Sequence, residues 1–150
     1  MKKALCLVQK HMFSKEDIQR LEAGIKDIYQ RYYSEEKINM LWMVMPKGYA
    51  YSERKASNAS VIMVEVDNDI TQTKREELMG LISKFLLDNF EISPLDSVIT
   101  VANSSFVNAF FEAQRKRIHP LYRPWITLKM MTTALVSKFT QGYLRLRVKY

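Results

Sequence analysis

Apolar and polar positions alternate between two periods along the chain. Residues 4–8 form a short apolar run that reads as a buried strand. Ser14-Lys15-Glu16-Asp17 follows, with Ser14 placed to accept from free N–H groups of a helix start and Asp17 to reach back. Ile18, Leu21, Ile25, Ile28 and Tyr32 then recur at helical spacing, predicting one face of an amphipathic helix. Residues 40–45 are a second apolar run, ended by Pro46-Lys47-Gly48. Residues 48–60 are small and polar with Tyr49 and Tyr51 alternating, a loop that carries a hairpin arm.

The order then recurs. Residues 61–66 read as a strand and Asp67-Asn68-Asp69 as a turn. Thr73-Lys74-Arg75-Glu76 has the capping-box pattern. Leu78, Ile82, Phe85 and Leu86 make a helical stripe, Ser93-Pro94 breaks the chain, and residues 98–101 form another strand. At an offset of 57 the halves align without gaps. Leu5-Cys6-Leu7 falls on Ile62-Met63-Val64, Phe13-Ser14 on Ile70-Thr71, and Leu21 and Ile25 on Leu78 and Ile82. The expectation is an α+β fold: a tandem strand–helix–strand repeat forming a four-stranded sheet with two helices on one face. Right-handed crossovers place both helices there. Repeat one spans 3–46, repeat two 60–103, and both belong to a single domain over 1–150.

A helical and strand extension follows the repeats. Residues 103–117 predict a helix with Phe106, Phe110 and Ala113 on one side, and Pro120 and Pro124 interrupt it. Leu128, Met131, Leu135 and Phe139 predict a further helix, with Gly142 at its C-terminal cap. Residues 143–150 alternate: Leu144, Leu146 and Val148 on a buried face, Arg145, Arg147 and Lys149 on a cationic outer row.

Composition bounds the chemistry. The 150 residues are one domain's worth of chain, 47% hydrophobic and 26% charged, which excludes a disordered or low-complexity protein. The single cysteine, Cys6, excludes an internal disulfide and a cysteine-based zinc cluster. It sits mid-strand, where a thiol is inert. His11 and His119 show no metal-ligand spacing. No cofactor or metal is expected. No apolar run reaches bilayer length, and the N-terminal residues lack a secretory pattern, so a cytoplasmic protein is expected. The net charge of +7 is uneven. Nine of the 23 basic residues lie in 113–150 with no acid, leaving 14 against 16 acidic residues elsewhere. A solvated face plus a subunit contact accounts for this. An anionic partner bound through Arg115, Arg117, Arg145 and Arg147 is the alternative.

The strand at 3–8 leading into Phe13-Ser14-Lys15-Glu16-Asp17, and the strand at 60–66 leading into Ile70-Thr71-Gln72-Thr73-Lys74-Arg75, resemble the tautomerase superfamily. That family includes 4-oxalocrotonate tautomerase, malonate semialdehyde decarboxylase and macrophage migration inhibitory factor. The resemblance covers the first two-thirds of the chain. It implies a homotrimer and a small-molecule pocket. It also implies an N-terminal proline whose amine serves as base or acid, but the matching position is Lys3. The expectation is therefore a tautomerase-like protein lacking proline-dependent activity. The alternative is a non-enzymatic binding module that uses its basic extension.

Lys3 is the catalytic candidate, as base or Schiff-base amine, against the plain alternative of a solvated lysine. Lys2, His11, Ser60, Asp67 and Asp69 are candidates for the pocket. His11 is set against an ordinary loop histidine, and the Asp67/Asp69 pair against helix-start electrostatics. Trp42 among Met40, Met43 and Met45 reads as core filling. A ferredoxin-like RNA-binding sheet shares the element order. It needs stacking aromatics on its central strands, and runs 4–8 and 61–66 have none, so nucleic acid is disfavoured.

Overall fold

The structure is a computed structural model describing residues 2–10, 12–34, 36–46, 48, 51–52, 55–56 and 59–146. The first repeat is strand β1 (Lys2–Gln9), helix α1 (Lys15–Tyr32) and strand β2 (Ile38–Met45). A two-stranded arm, β3 (Tyr51–Ser52) with β4 (Lys55–Ala56), occupies the polar loop. The second repeat is β5 (Ser60–Val66), α2 (Gln72–Phe90) and β6 (Ser97–Asn103). Helices α3 (Ser104–Arg117) and α4 (Arg123–Gln141) and the short strand β7 (Leu144–Leu146) complete the chain.

The sheet order is β6-β5-β1-β2-β7. Each repeat supplies a parallel pair, Cys6 opposite Trp42 in one and Ile62 opposite Ile99 in the other. The two repeats join antiparallel through β1 and β5, Ala4 opposite Val64. The expected four strands are thus present, and β7 adds a fifth by pairing with β2 of its own chain.

Helices α1 and α2 cover one face. Ala4, Cys6, Val8, Met40, Trp42, Ile62, Val64 and Val66 point into that layer and meet Ile18, Leu21, Ile25, Tyr29, Leu78, Ile82 and Leu86. Fully burying each of the larger of these side chains is worth about 1.5–3 kcal/mol. Trp42 is fully buried, and its indole N–H donates to Glu22 at 3.0 Å. Such a pairing is what allows a tryptophan into a core.

Several expectations need correction. Tyr32 is exposed, and Tyr29 takes the core position, its hydroxyl donating to the Glu65 carbonyl at 3.1 Å. Thr71, not Thr73, caps α2, accepting from the Lys74 N–H. The gapless repeat holds for the helices and last strands but not the first strands. Cys6 and Val8 face the helices, and so do Ile62, Val64 and Val66, so the first strands correspond at an even offset and not at 57. An odd offset would turn β5 inside out. Phe106 and Phe110 of α3 are exposed, and Val107 is the buried residue. Helix α4 forms where Leu128, Met131, Leu135 and Phe139 predict it, and all four stand exposed on it. In β7, Leu144, Arg145 and Leu146 are all half-buried, so the expected split into a buried and an outer row is not seen in that strand. Val148, Arg147 and Lys149 lie outside the described residues.

Candidate functional site

The start of β1, the end of β5 and the junction of β6 with α3 meet at one end of the sheet. Lys2 and Lys3 are adjacent, so the strand's two-residue period sends them to opposite faces. On the helix side, the Lys2 ammonium pairs with Asp67 and donates to Ser104 Oγ at 2.9 Å. Ser104 Oγ in turn donates to the Val66 carbonyl at 3.0 Å. The Tyr33 hydroxyl donates to Asp67 Oδ2 at 2.7 Å and accepts the Asp67 N–H at 2.6 Å. Asn68 Oδ1 accepts from the Ser105 N–H at 3.0 Å, fixing the first turn of α3 over the same corner.

The electrostatics follow from this network. Hydrogen bonding to Asp67 raises the Lys2 pKa above its ordinary value, outweighing the opposing effect of burial. The Lys2 and Tyr33 hydrogen bonds hold the Asp67 carboxyl below the usual range. Burial, the largest cause, pushes the Tyr33 phenol up to about 12. Lys2 is therefore held as a cation and Asp67 as an anion, and Lys2 is not available as a neutral base near pH 7.

On the open face, the Lys3 N–H donates to Glu65 Oε2 at 3.0 Å. Glu65 is buried. The Lys3 ammonium lies 5.8 Å from the centroid of the Phe111 ring on α3, within the range of a cation–π contact. Among the described residues no carboxylate is paired with that ammonium. An amine, a buried carboxyl group and an aromatic ring thus converge here.

The other candidates are scattered. Asp69 is exposed in the turn beyond Asp67. Ser60 is buried at the opposite end of β5, and its hydroxyl has no hydrogen-bond partner. His11 and Arg147 lie outside the described residues. Arg115 and Arg117 are exposed on the last turn of α3. Arg145 lines a concavity of about 470 Å³ with Thr132, Thr133, Val136, Ser137, Thr140 and Gln141 of α4. A second, of about 270 Å³, lies between Phe13 and Phe90. Neither is lined by Lys2, Lys3, Ser60, Asp67 or Asp69. The sequence reading missed Tyr33, Glu65, Ser104 and Phe111, which reach this corner from distant parts of the chain. Among the described residues, no group of three His, Cys, Asp or Glu side chains is placed to hold a metal ion. No helix among them is long and apolar enough to cross a membrane.

Solved structures define the fold class. A fused 4-OT described as a symmetric trimer matches with a TM-score of 0.59 at 6% identity, over 67% of this chain and 84% of that one. N1, a member of the cis-3-chloroacrylic acid dehalogenase family, matches with a TM-score of 0.61 at 11% identity, over 67% and 73%. Leishmania major MIF2 matches with a TM-score of 0.53 at 14% identity, over 69% and 89%. The fold is that of these tautomerase-superfamily structures. No protein-family model matches the sequence. No curated protein matches it either.

Proposed function

We propose that this chain is a tautomerase-fold homotrimer that does not carry out proline-dependent tautomerisation. The observation that supports this is the residue pair opening β1. Lys2 and Lys3 stand there, the Lys3 nitrogen is an amide N–H bound to Glu65, and Lys2 is locked to Asp67 and Ser104. A proline amine acts because it is a free secondary amine that cycles a proton. An amide nitrogen has no lone pair to offer. The trimer is read across from fused 4-OT structures that are themselves trimers. Phenylpyruvate keto–enol exchange, followed by absorbance, tests the chemistry. A positioned acid–base group contributes about 10²–10⁴-fold, so its loss leaves turnover near the buffer rate. Robust turnover that disappears in Lys3→Ala would make Lys3 the base and overturn the proposal. Robust turnover that survives Lys3→Ala would overturn it too, placing the reacting group elsewhere.

A specific observation keeps the interaction-module reading alongside. The basic extension carries nine cations and no acid over 113–150. Titration with heparin at two salt concentrations tests it, since phosphate- or sulfate-type contacts weaken steeply with salt. Sub-micromolar affinity at the higher salt would favour that reading.

A further inference from the structure

The second half of helix α4 packs on its own chain through small and polar residues. Those facing inward are Thr133, Ala134, Ser137 and Gln141, and Ile126 is half-buried on the same side nearer its start. Ser137 Oγ accepts the Arg145 N–H at 2.8 Å and donates to the Ala134 carbonyl at 2.8 Å, and the Gln141 carbonyl accepts from Gln19 at 3.0 Å. The outward side carries Trp125, Leu128, Met131, Leu135, Val136 and Phe139, exposed by 53–87%. With large apolar side chains presenting roughly 150–250 Å² each, that stripe is on the order of 800 Å². A monomer's largest apolar patch is about 300–600 Å². One side of a stable protein interface is about 800 Å².

We infer that α4 is an assembly arm whose outward stripe docks on a second copy of this chain, at the 87–98 segment that carries α2 into β6. This rests on the homo-oligomer reading above. The segment exposes Leu87, Leu95 and Val98, with Leu95 85% exposed, and it adds the exposed acids Asp88 and Glu91. The arm is flanked by Arg123, Lys129 and Lys138 and has no acid of its own. Apolar character and opposite charge sign therefore make the arm and the segment complementary. Two arms packed on each other would instead oppose cations. The two surfaces also lie toward opposite edges of the sheet: α4 packs beside β7 at one edge, and the segment leads into β6 at the other. Complementary patches at opposite edges make a head-to-tail contact, which closes into a ring when the rotation allows it.

Sedimentation velocity at fixed micromolar concentration tests this, together with acrylamide quenching of the fluorescence that Trp125→Phe removes. Trp42 is fully buried, so the difference signal isolates Trp125. The wild type is expected to be one closed oligomer with Trp125 shielded. The variant Leu135→Glu/Phe139→Glu breaks the arm, and Leu95→Glu breaks the acceptor. Each is expected to weaken association about 100-fold or more with unchanged far-UV circular dichroism, since these positions are exposed in the single chain. Mixing the two variants leaves one intact arm–acceptor pair and is expected to give a heterodimer. A monomeric wild type would overturn both the homo-oligomer reading and the arm, including when it floats with phosphatidylglycerol vesicles. A wild-type oligomer that survives the arm variant, or in which Trp125 stays fully quenchable, would overturn the arm alone. An oligomer lost in the arm variant but intact in Leu95→Glu would overturn the assigned acceptor, as would a mixture that restores nothing.

Discussion

Two glycines sit inside helices and should respond oppositely to alanine. Gly80 lies on the exposed side of α2, and a Cβ built there meets nothing within 4 Å. Alanine gains about 0.8–1.0 kcal/mol of helix propensity over glycine at such a site. Gly80→Ala should therefore stabilise by about that amount. Gly24 lies on α1 where α2 crosses it, and its Cβ would fall 2.0 Å from Phe85 Cζ, with the ring's two Cε atoms at 2.5 and 2.7 Å. The ring has little room to move. It packs edge-on to Phe90 at 5.7 Å, which packs edge-on to Phe13 at 5.9 Å. Overpacking of this kind costs about 1–3 kcal/mol. The same propensity gain applies to Gly24, so the net is a loss of up to about 2 kcal/mol.

Urea unfolding of both variants at one fixed protein concentration measures the contrast, because assembly otherwise shifts apparent stability. For a chain of this size, about 1 kcal/mol moves Tm by about 2–4 °C. The two variants should move it in opposite directions. Trimming the ring should relieve the clash, so Phe85→Leu should cost less in the Gly24→Ala background than in the wild type. That is a coupling a double-mutant cycle reads directly. Equal stabilisation by both alanines would refute the close α1–α2 crossing at Gly24.

At the buried Trp42–Glu22 pair, Glu22→Leu strands the indole N–H and should cost about 1–3 kcal/mol, while Glu22→Gln keeps an acceptor and should cost less in the same urea titration. Asp67 has its carboxyl pKa depressed by Lys2 and Tyr33, so its contribution is present above the unfolded value and lost as pH falls through the folded one. Asp67→Asn should flatten the acid limb of stability, and an unchanged limb would contradict the pairing. The Lys2 pKa is raised, so its contribution holds below the ordinary 10.5 and is lost as pH rises through the folded value. Burial raises the Cys6 pKa far above that of a free thiol, so labelling by a disulfide reagent at pH 8 should track global unfolding, and fast labelling of the native protein would contradict its position in β1.

Local chemistry and repeat order were readable wherever the partners lie close in sequence. The Ser14–Asp17 box forms in both directions, with Asp17 N–H to Ser14 Oγ at 3.0 Å and Ser14 N–H to Asp17 Oδ2 at 3.1 Å. At α2 two threonines compete for the cap. The Thr73-to-Glu76 pattern favours the wrong one, while the repeat, which lays Ser14 on Thr71, favours the right one. Correspondence between repeats carries three-dimensional information that a four-residue motif lacks. Tyr29 and Tyr32 both sit at helical spacing from Ile25. What separates them is the Glu65 carbonyl, which receives the Tyr29 hydroxyl from 36 residues away. The candidate site was legible only as a place, the start of a strand. Lys2 reaches Asp67 across 65 residues and Ser104 across 102, and no spacing rule spans such distances.

The extension forms the expected helices and strand, but its apolar stripe is not buried by its own chain. A stripe such as Leu128, Met131, Leu135 and Phe139 predicts a helix correctly, and α4 is there. Reading the stripe as core adds the assumption that the chain buries its own apolar faces. That assumption holds for α1 and α2, where Leu21, Ile25, Leu78 and Ile82 meet the sheet. It fails for α4 because the helix packs on its own chain through Ser137, whose hydroxyl caps the β7 backbone. A small side chain at that contact lets the helix approach β7 closely, and the large side chains are then forced to the far side. The hydrophobic effect is non-directional and acts on the apolar area removed from water, whichever chain removes it. An amphipathic pattern therefore fixes which residues seek burial without fixing whose surface buries them, and in the second half of α4 small and polar residues meet the body instead.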